Sequence, residues 1–536
     1  TGNTVTITGG TLNGDVYGGH TAGTGKTTGN TVNLGGEDGA YSAATAVNGT
    51  LYGGSDSADV AGNVLNVNAN AQAKNIRNFE TIRFNFKPTQ NAASPLLRLT
   101  DTAGTALDWR SIKTTGDAIG DGRIVTLLEN TTAGGLTIGS YTGAKEVAST
   151  GTSEISIDTD THAASARKIL FCGYTFRDAS KTAVASDATT PASDVWAGRS
   201  AIGNTTAGSH LTVAGGTFRD AYGGWTAGTT TAAADKFDSR GNSVTLRDTD
   251  AAHPTEVRSL YGGRSETPAG SATGNKAIVA GGTVTGTVYG GALTDAAATG
   301  SATGNTVTIT GGRIGTPLQA ADVYGGYTAG FGKTTGNTVT LGDGTHGVGT
   351  IYGTLYGGSD SADVTGNTLV VKANAGAAVK GIQNFETIRF DMDTSASTTT
   401  PLLNVTGTTP LAGLDWAKVD VDVKHLSPVL RPYEAYHAHI LEGAGGISFM
   451  QGSRNTYVPI GAKDKRNGNY EFVLDTDTHS VNATRYVELT GCQYQNNKAA
   501  KFTAADGTKP EAWAGRSIAG NTVQHNVLSV EGGTLV

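Results

Sequence analysis

Short runs in which apolar and polar side chains alternate recur along the chain: TVTIT at 4–8, TVNL at 31–34, LTV at 211–213 and TVTIT again at 306–310. A period of two reads as β-strand, and β-branched Val, Ile and Thr suit a pleated surface. In the last of these runs Val307 and Ile309 are expected to point inward and Thr306, Thr308 and Thr310 outward, with Val5 and Ile7 as their counterparts. No long stretch shows the 3.6-residue apolar period of a helix.

A Gly-Asn pair opens each run and a Tyr-Gly-Gly closes the next. The asparagines are Asn3, Asn30, Asn63, Asn204, Asn242, Asn275, Asn305, Asn337, Asn367 and Asn521, and neighbours within a block lie 27 to 38 residues apart. The tyrosines are Tyr17, Tyr52, Tyr222, Tyr261, Tyr289, Tyr324 and Tyr356. This beat is nested in a larger duplication. GNTVTITGG at 2–10 returns at 304–312, VYGGHTAGTGKTTGN at 16–30 returns as VYGGYTAGFGKTTGN at 323–337, and TLYGGSDSADV at 50–60 returns at 354–364. The offsets are 304 − 2 = 302, 323 − 16 = 307 and 354 − 50 = 304, and they reach 513 − 196 = 317 at WAGRS, a drift that marks surface insertions.

One turn of the beat, 304–326, reads as strand, corner, strand, loop, strand. Alone it buries almost nothing; stacked on its copies, each strand pairs in parallel with its equivalents ~4.8 Å above and below. The expected fold is all-β, a right-handed parallel β-helix (solenoid) with two irregular β-rich insert segments; the hand follows from the preference of parallel crossovers. The asparagines are expected to form an internal column of mutually bonded amides, and the tyrosines a second, aromatic column. These columns read as register-holding ladders, with a binding stripe on the tyrosines as the minority reading. The expected divisions are coils at 1–86, an insert at 87–195, coils at 196–390, a second insert at 391–512 and a truncated coil at 513–536. The same phrase, NFETIRF, introduces both inserts at 78–84 and 384–390, and each continues through PLL, LDW, two strand-like runs and WAGR.

Composition agrees. With 78 glycines in 536 residues the chain has about twice the usual glycine share. A net charge of −7 and the lack of a basic, aromatic-interleaved stripe make nucleic acid an unlooked-for partner. No apolar run approaches the ~18 residues of a membrane helix, and residue 1 falls inside a repeat, so the chain reads as a segment of something longer. Cys172 and Cys492, roughly ten coils and on the order of 50 Å apart in a stack of ~4.8 Å rungs, are expected to be buried, unpaired thiols.

The joined order of GNTVTITGG coils, Tyr-Gly-Gly, NFETIRF, PLL and the VTLLE strand resembles the passenger region of autotransporters, the type V secreted surface proteins, over essentially the whole chain. The resemblance implies a right-handed parallel β-helix exported through a C-terminal outer-membrane barrel that is not in this chain. It also implies an extracellular location on the bacterial cell surface.

Catalytic chemistry is sought and mostly not found. GSDSADV, at 54–60 and 358–364, differs in order from the GDSGS-like motif of serine-protease members. Asp56 and Asp59, and Asp360 and Asp363, read as turn formers, with a calcium site as the lesser reading. DTDTH places Asp158, Asp160 and His162, and again Asp475, Asp477 and His479, at i, i+2 and i+4; in a strand all three share one face and suit a metal, although a solvated strand end explains them as well. Arg199 and Arg516, following Trp196 and Trp513 in WAGRS, could stack on or pair with a ligand but read first as guanidinium groups covering an indole. No residue is assigned a catalytic, cofactor-binding or metal-ligating role. The expected function is a non-enzymatic adhesin segment, a rigid solenoid that mediates attachment or aggregation by multivalent contacts. Its expected partners are host or bacterial cell-surface glycans or proteins, with self-association possible, and loops such as 224–241 and the insert surfaces are expected to carry specificity. The alternatives are a structural filament, spacer or surface-layer element, and a glycan-active β-helix enzyme.

Overall fold

The structure is a computed structural model that describes residues 1–36, 45–86, 94–116, 122–183, 194–228, 237–249, 254–392, 400–426, 430, 435–450, 463–480, 484–496 and 500–536. It is all-β, with strands joined by turns and a few single 3-10 turns, and most of its sheets are parallel. The described chain falls into two compact units, one of residues 1–178, 198–206 and 226–237, the other of 179–197, 207–225 and 238–536.

In the first unit, strands Thr4–Ile7, Thr31–Leu34, Val64–Val67, Thr81–Phe86 and Ile112–Gly116 form one parallel sheet in unbroken register. Val5, Val32, Leu65, Ile82 and Ile112 stand in line, and Ile7, Leu34, Val67 and Phe84 form the next inward line. Most of these side chains are fully buried, each contributing about 1.5–3 kcal/mol, so the alternation seen in sequence is the inside and outside of the sheet. The second unit repeats the scheme in a nine-stranded sheet from Lys181–Ala183 to Val419–Asp422. There Leu211, Val244, Ala277, Val307, Val339, Leu369, Ile388 and Val419 align. Val307 and Ile309 are buried as expected, and Thr306, Thr308 and Thr310 are half-buried on the other face.

The asparagine columns exist and explain the Gly-Asn pair. Oδ1 of Asn275 accepts from the backbone N–H of Asn242 at 3.0 Å and from its Nδ2 at 3.1 Å, and the same double bond runs from Asn275 to Asn305, Asn337 and Asn367. Asn3, Asn30 and Asn63 repeat it in the first unit. Each preceding glycine holds positive φ, 62° to 67° from Gly241 to Gly336, which a side chain resists. The column also requires the glycines after tyrosine: a Cβ on Gly291 would meet the Asn305 amide at 2.4 Å.

Both columns end on NFE. Asn78 and Asn384 take positive φ of 60°, their carbonyls accept from the last ladder amides of Asn63 and Asn367 at 3.2 Å, and Glu80 and Glu386 accept from the backbone N–H of Gly62 and Gly366. The phrase that introduces each insert is therefore the terminal cap of a ladder. Beyond it the parallel sheet runs on through Ile112–Gly116 or Val419–Asp422. Only then does the chain turn antiparallel, over Ile124–Glu129, Lys168–Thr175, Ser153–Thr159 and Lys145–Ser149 in the first unit. In the second unit Tyr436–Phe449, Thr484–Gln493, Tyr470–Thr476 and Lys463–Asn467 repeat that order.

Two of the Gly-Asn pairs are not ladder corners, which corrects the expectation that all ten asparagines stack alike. Strand register sets Ser209, not Asn204, opposite Asn242, and the N–H of Ser209 bonds the Asn242 Oδ1 at 3.0 Å. Asn204 instead donates at 2.8 Å to the buried carboxylate of Glu154, which also accepts from Ser200 Oγ at 2.7 Å and from the N–H of Ala201. Glu471 does the same for Asn521, Ser517 and Ile518, while Asn526 takes a ladder position by accepting from the N–H of Asn496. Burial pushes the Glu154 pKa up, and its three donors offset this only in part.

Candidate functional site

The tyrosines stack along parallel strands because register puts each opposite the next: Tyr261, Tyr289, Tyr324 and Tyr356 align, and Gln383 follows Tyr356 in the same line. Ring centroids are 4.7 Å apart for Tyr261 and Tyr289, 5.6 Å for Tyr289 and Tyr324, and 4.6 Å for Tyr324 and Tyr356, with planes within 15° of parallel. Desolvation raises the phenol pKa along the column, so the rings remain neutral hydroxyl donors at ordinary pH.

The rim of this stack carries an open groove of about 750 Å³. Tyr327 lies across the rims of Tyr289 and Tyr324, 5.2 Å from each at 63° and 73°. Phe331, 86% exposed, sits in the following turn as a wall of the groove. Polar groups close the other side: Asp360 uses Oδ1 for the N–H of Ala362 at 2.8 Å, Asn384 spends its Nδ2 on the Gly358 carbonyl at 2.8 Å, and Gln383 is exposed. Asp363 is held by the N–H of Thr334 at 3.1 Å. The arrangement offers ring surface, amide groups and a carboxylate, and no Lys, Arg or His side chain among its described lining residues.

The first unit has the same backbone with different chemistry. Tyr17 and Tyr52 stack at 4.7 Å, but His20 occupies the place of Tyr327, 5.0 Å from Tyr17, exposed Thr24 that of Phe331, and Arg77, opposite Tyr52, that of Gln383. Sequence reasoning passes over Tyr327, Phe331 and Gln383. The signal is present in the duplication: VYGGHTAGTGKTTGN and VYGGYTAGFGKTTGN differ at two positions of fifteen, and both changes bring an aromatic ring.

The other singled-out residues serve structure. DTDTH does not present three ligands on one strand face, because the strand ends at Thr159 and the chain turns. Asp158 is buried, accepts from Tyr141 Oη at 2.7 Å and pairs with His162 Nδ1, whereas Asp160 accepts from the N–H groups of Arg167 and Lys168. His162 and His479 reach back only by adopting positive φ, 52° and 51°. Asp475 pairs with His479 and Asp477 holds the N–H of Arg485, repeating the turn. Among the described residues no three His, Cys, Asp or Glu gather as metal ligands. Asp56 and Asp59, like Asp360 and Asp363, form the turn and tie it to the preceding repeat. Arg516 covers Trp513 at 4.8 Å as expected, but Arg199 lies over Tyr174 at 4.4 Å. Both cysteines are free and buried, and burial raises the thiols to about 12 at Cys172 and about 11 at Cys492. Of the loop at 224–241, residues 229–236 lie outside the described residues.

Each insert also sets a half-buried lysine against carbonyls. Lys145 donates to the Ile112 carbonyl at 3.0 Å and to that of Trp109, over whose ring it lies at 4.5 Å; Lys463 donates to the Ala417 carbonyl at 3.0 Å and to Val419. Desolvation lowers both amines, Lys145 to about 8. Their carbonyl partners lie in the single 3-10 turns at Trp109–Ser111 and Trp416–Lys418 and at the residues that follow them, Ile112 and Val419, so the amines tie these turns down.

The chain matches no protein-family model, no curated protein and no solved structure.

Proposed function

We propose that the chain is a stiff segment of a right-handed parallel β-helix, of the kind borne by autotransporter passengers, that mediates attachment at a bacterial cell surface. The observation that carries this reading is the in-register parallel stacking of coils about thirty residues long, each held by one asparagine and one tyrosine. A solenoid of this sort presents the same outward positions again and again. Thr6, Asn66 and Arg83 lie in line along one face, bonded through a buried Asn33, and Thr308, Thr340 and Arg389 occupy the equivalent line around a buried Val370. Weak contacts repeated along a rigid scaffold add up to avidity without a single strong site. No catalytic step is assigned to it.

The test is attachment by the purified chain displayed on beads. Beads are expected to adhere to epithelial or bacterial cells, and beads bearing an unfolded chain are not. Adhesion by neither would overturn the proposal. Fibres from the soluble chain would point to a structural filament instead, and release of reducing ends from polysaccharides would point to an enzyme.

A further inference from the structure

We propose that the groove between Tyr327, Phe331 and Asp360 binds an uncharged carbohydrate chain, and that it adds one specific contact to the weak, repeated ones of the attachment function on which this inference rests. Three observations converge. First, Phe331 exposes nearly its whole side chain on a turn, and Tyr327 is only half-buried beside it. Rings left in water beside a groove are costly unless a ligand covers them, and the apolar C–H face of a pyranose is such a cover. Second, Gln383, Asp360 and Asn384 supply both donors and acceptors facing the same space, the complement to a ring of hydroxyls. Third, the sign of the groove selects against acidic sugars: it carries Asp360 and Asp363 without a lining cation, whereas the matching positions of the first unit carry His20 and Arg77.

The duplication argues that these residues are there for something other than folding. His20, Thr24 and Arg77 fill the same backbone positions in a coil with the same tyrosine stack and the same asparagine ladder, so neither Tyr327, Phe331 nor Gln383 is needed to build it. The substitutions Tyr327→His, Phe331→Thr and Gln383→Arg thus insert side chains that this fold already accommodates.

The full chain is titrated calorimetrically with neutral hexasaccharides (β-1,4- and β-1,3-glucan, xylan and mannan) and with acidic ones (oligogalacturonate and a heparin fragment). At least one neutral chain is expected to bind with a stoichiometry of one. The Tyr327→His, Phe331→Thr double variant is expected to weaken it at least about tenfold, the loss expected for two ring contacts. Transplanting the groove by His20→Tyr, Thr24→Phe and Arg77→Gln is expected to raise the stoichiometry to two. The inference is overturned if no neutral chain binds, if acidic chains bind instead, or if the double variant binds as tightly as the parent. Bead attachment by parent and double variant separates the two ideas: a double variant that adheres like the parent without binding neutral glycan removes the groove and keeps the attachment reading, a double variant that loses the parent's adhesion supports the groove, and a parent that does not adhere removes the attachment reading itself.

Discussion

The ladder from Asn3 to Asn63 and the ladder from Asn242 to Asn367 are built from the same parts and differ where they meet water. Their asparagine bonds match within a few tenths of an ångström, their terminal caps are the same NFE, and their tyrosines stack at similar spacing. Their rims carry His20, Thr24 and Arg77 in one case and Tyr327, Phe331 and Gln383 in the other. The interior has little freedom because each side chain must satisfy a copy of itself on the next rung. The rim has no such partner, so it is where two otherwise equal units acquire different chemistry.

The largest test of this contrast strikes the shared interior. Asn63→Ala and Asn367→Ala each remove an amide that bonds three carbonyls and accepts from the asparagine below, leaving buried groups unpaired. Each is expected to cost about 4 kcal/mol, equally in both units. Hydrogen exchange of peptides around Asn30 and Asn337 reads the loss unit by unit, and protection lost in only one unit would break the equivalence.

A smaller difference is expected at the two half-buried lysines. The folded pKa of Lys145, about 8, lies below its ordinary 10.5, so between these values the unfolded chain holds more protons and stability rises with pH. Urea midpoints of the parent and of Lys145→Met are expected to diverge as pH climbs through that window, the parent alone gaining this increment. A parent that gains nothing over the variant would contradict the assignment of a half-buried ammonium.

The smallest effect separates the caps. Glu386 both accepts from Gly366 N–H and pairs with Lys418 at 2.9 Å, and these bonds hold its carboxyl below the usual range. Its contribution is present above the ordinary pKa of 4.5 and lost as pH falls through the lower folded value. The protection of the Gly366 amide, taken against its intrinsic exchange rate at each pH, is expected to fall on acidification in the parent and to be low at every pH in Glu386→Ala. No pH dependence in the parent would count against the cap.

Much of the interior was legible in the chain itself, for a physical reason: a rung that stacks on its own copies writes its packing into the sequence as a repeat. Alternation at Val307 and Ile309, the asparagine column and the aromatic column all follow from that rule. The candidate site was legible only as a difference between two copies, at positions 20 and 327, 24 and 331, and 77 and 383. Taken singly these residues sit in glycine-rich turns and carry no motif.

Sequence by itself determined the strands, their inward faces and the identity of the ladder residues, because period and composition are local properties. Only the tertiary structure decided which copies meet. Gly203-Asn204 and Gly520-Asn521 read like every other corner, yet the register over the next strand puts Ser209 and Asn526 in the ladders and sends Asn204 and Asn521 to the buried carboxylates of Glu154 and Glu471. Likewise DTDTH spaces its ligands for one strand face, and the turn at Asp160 separates them. A side chain's partner is set by the chain that returns some thirty residues later, and hydrogen bonds across that distance are made by register in space, which no local pattern encodes.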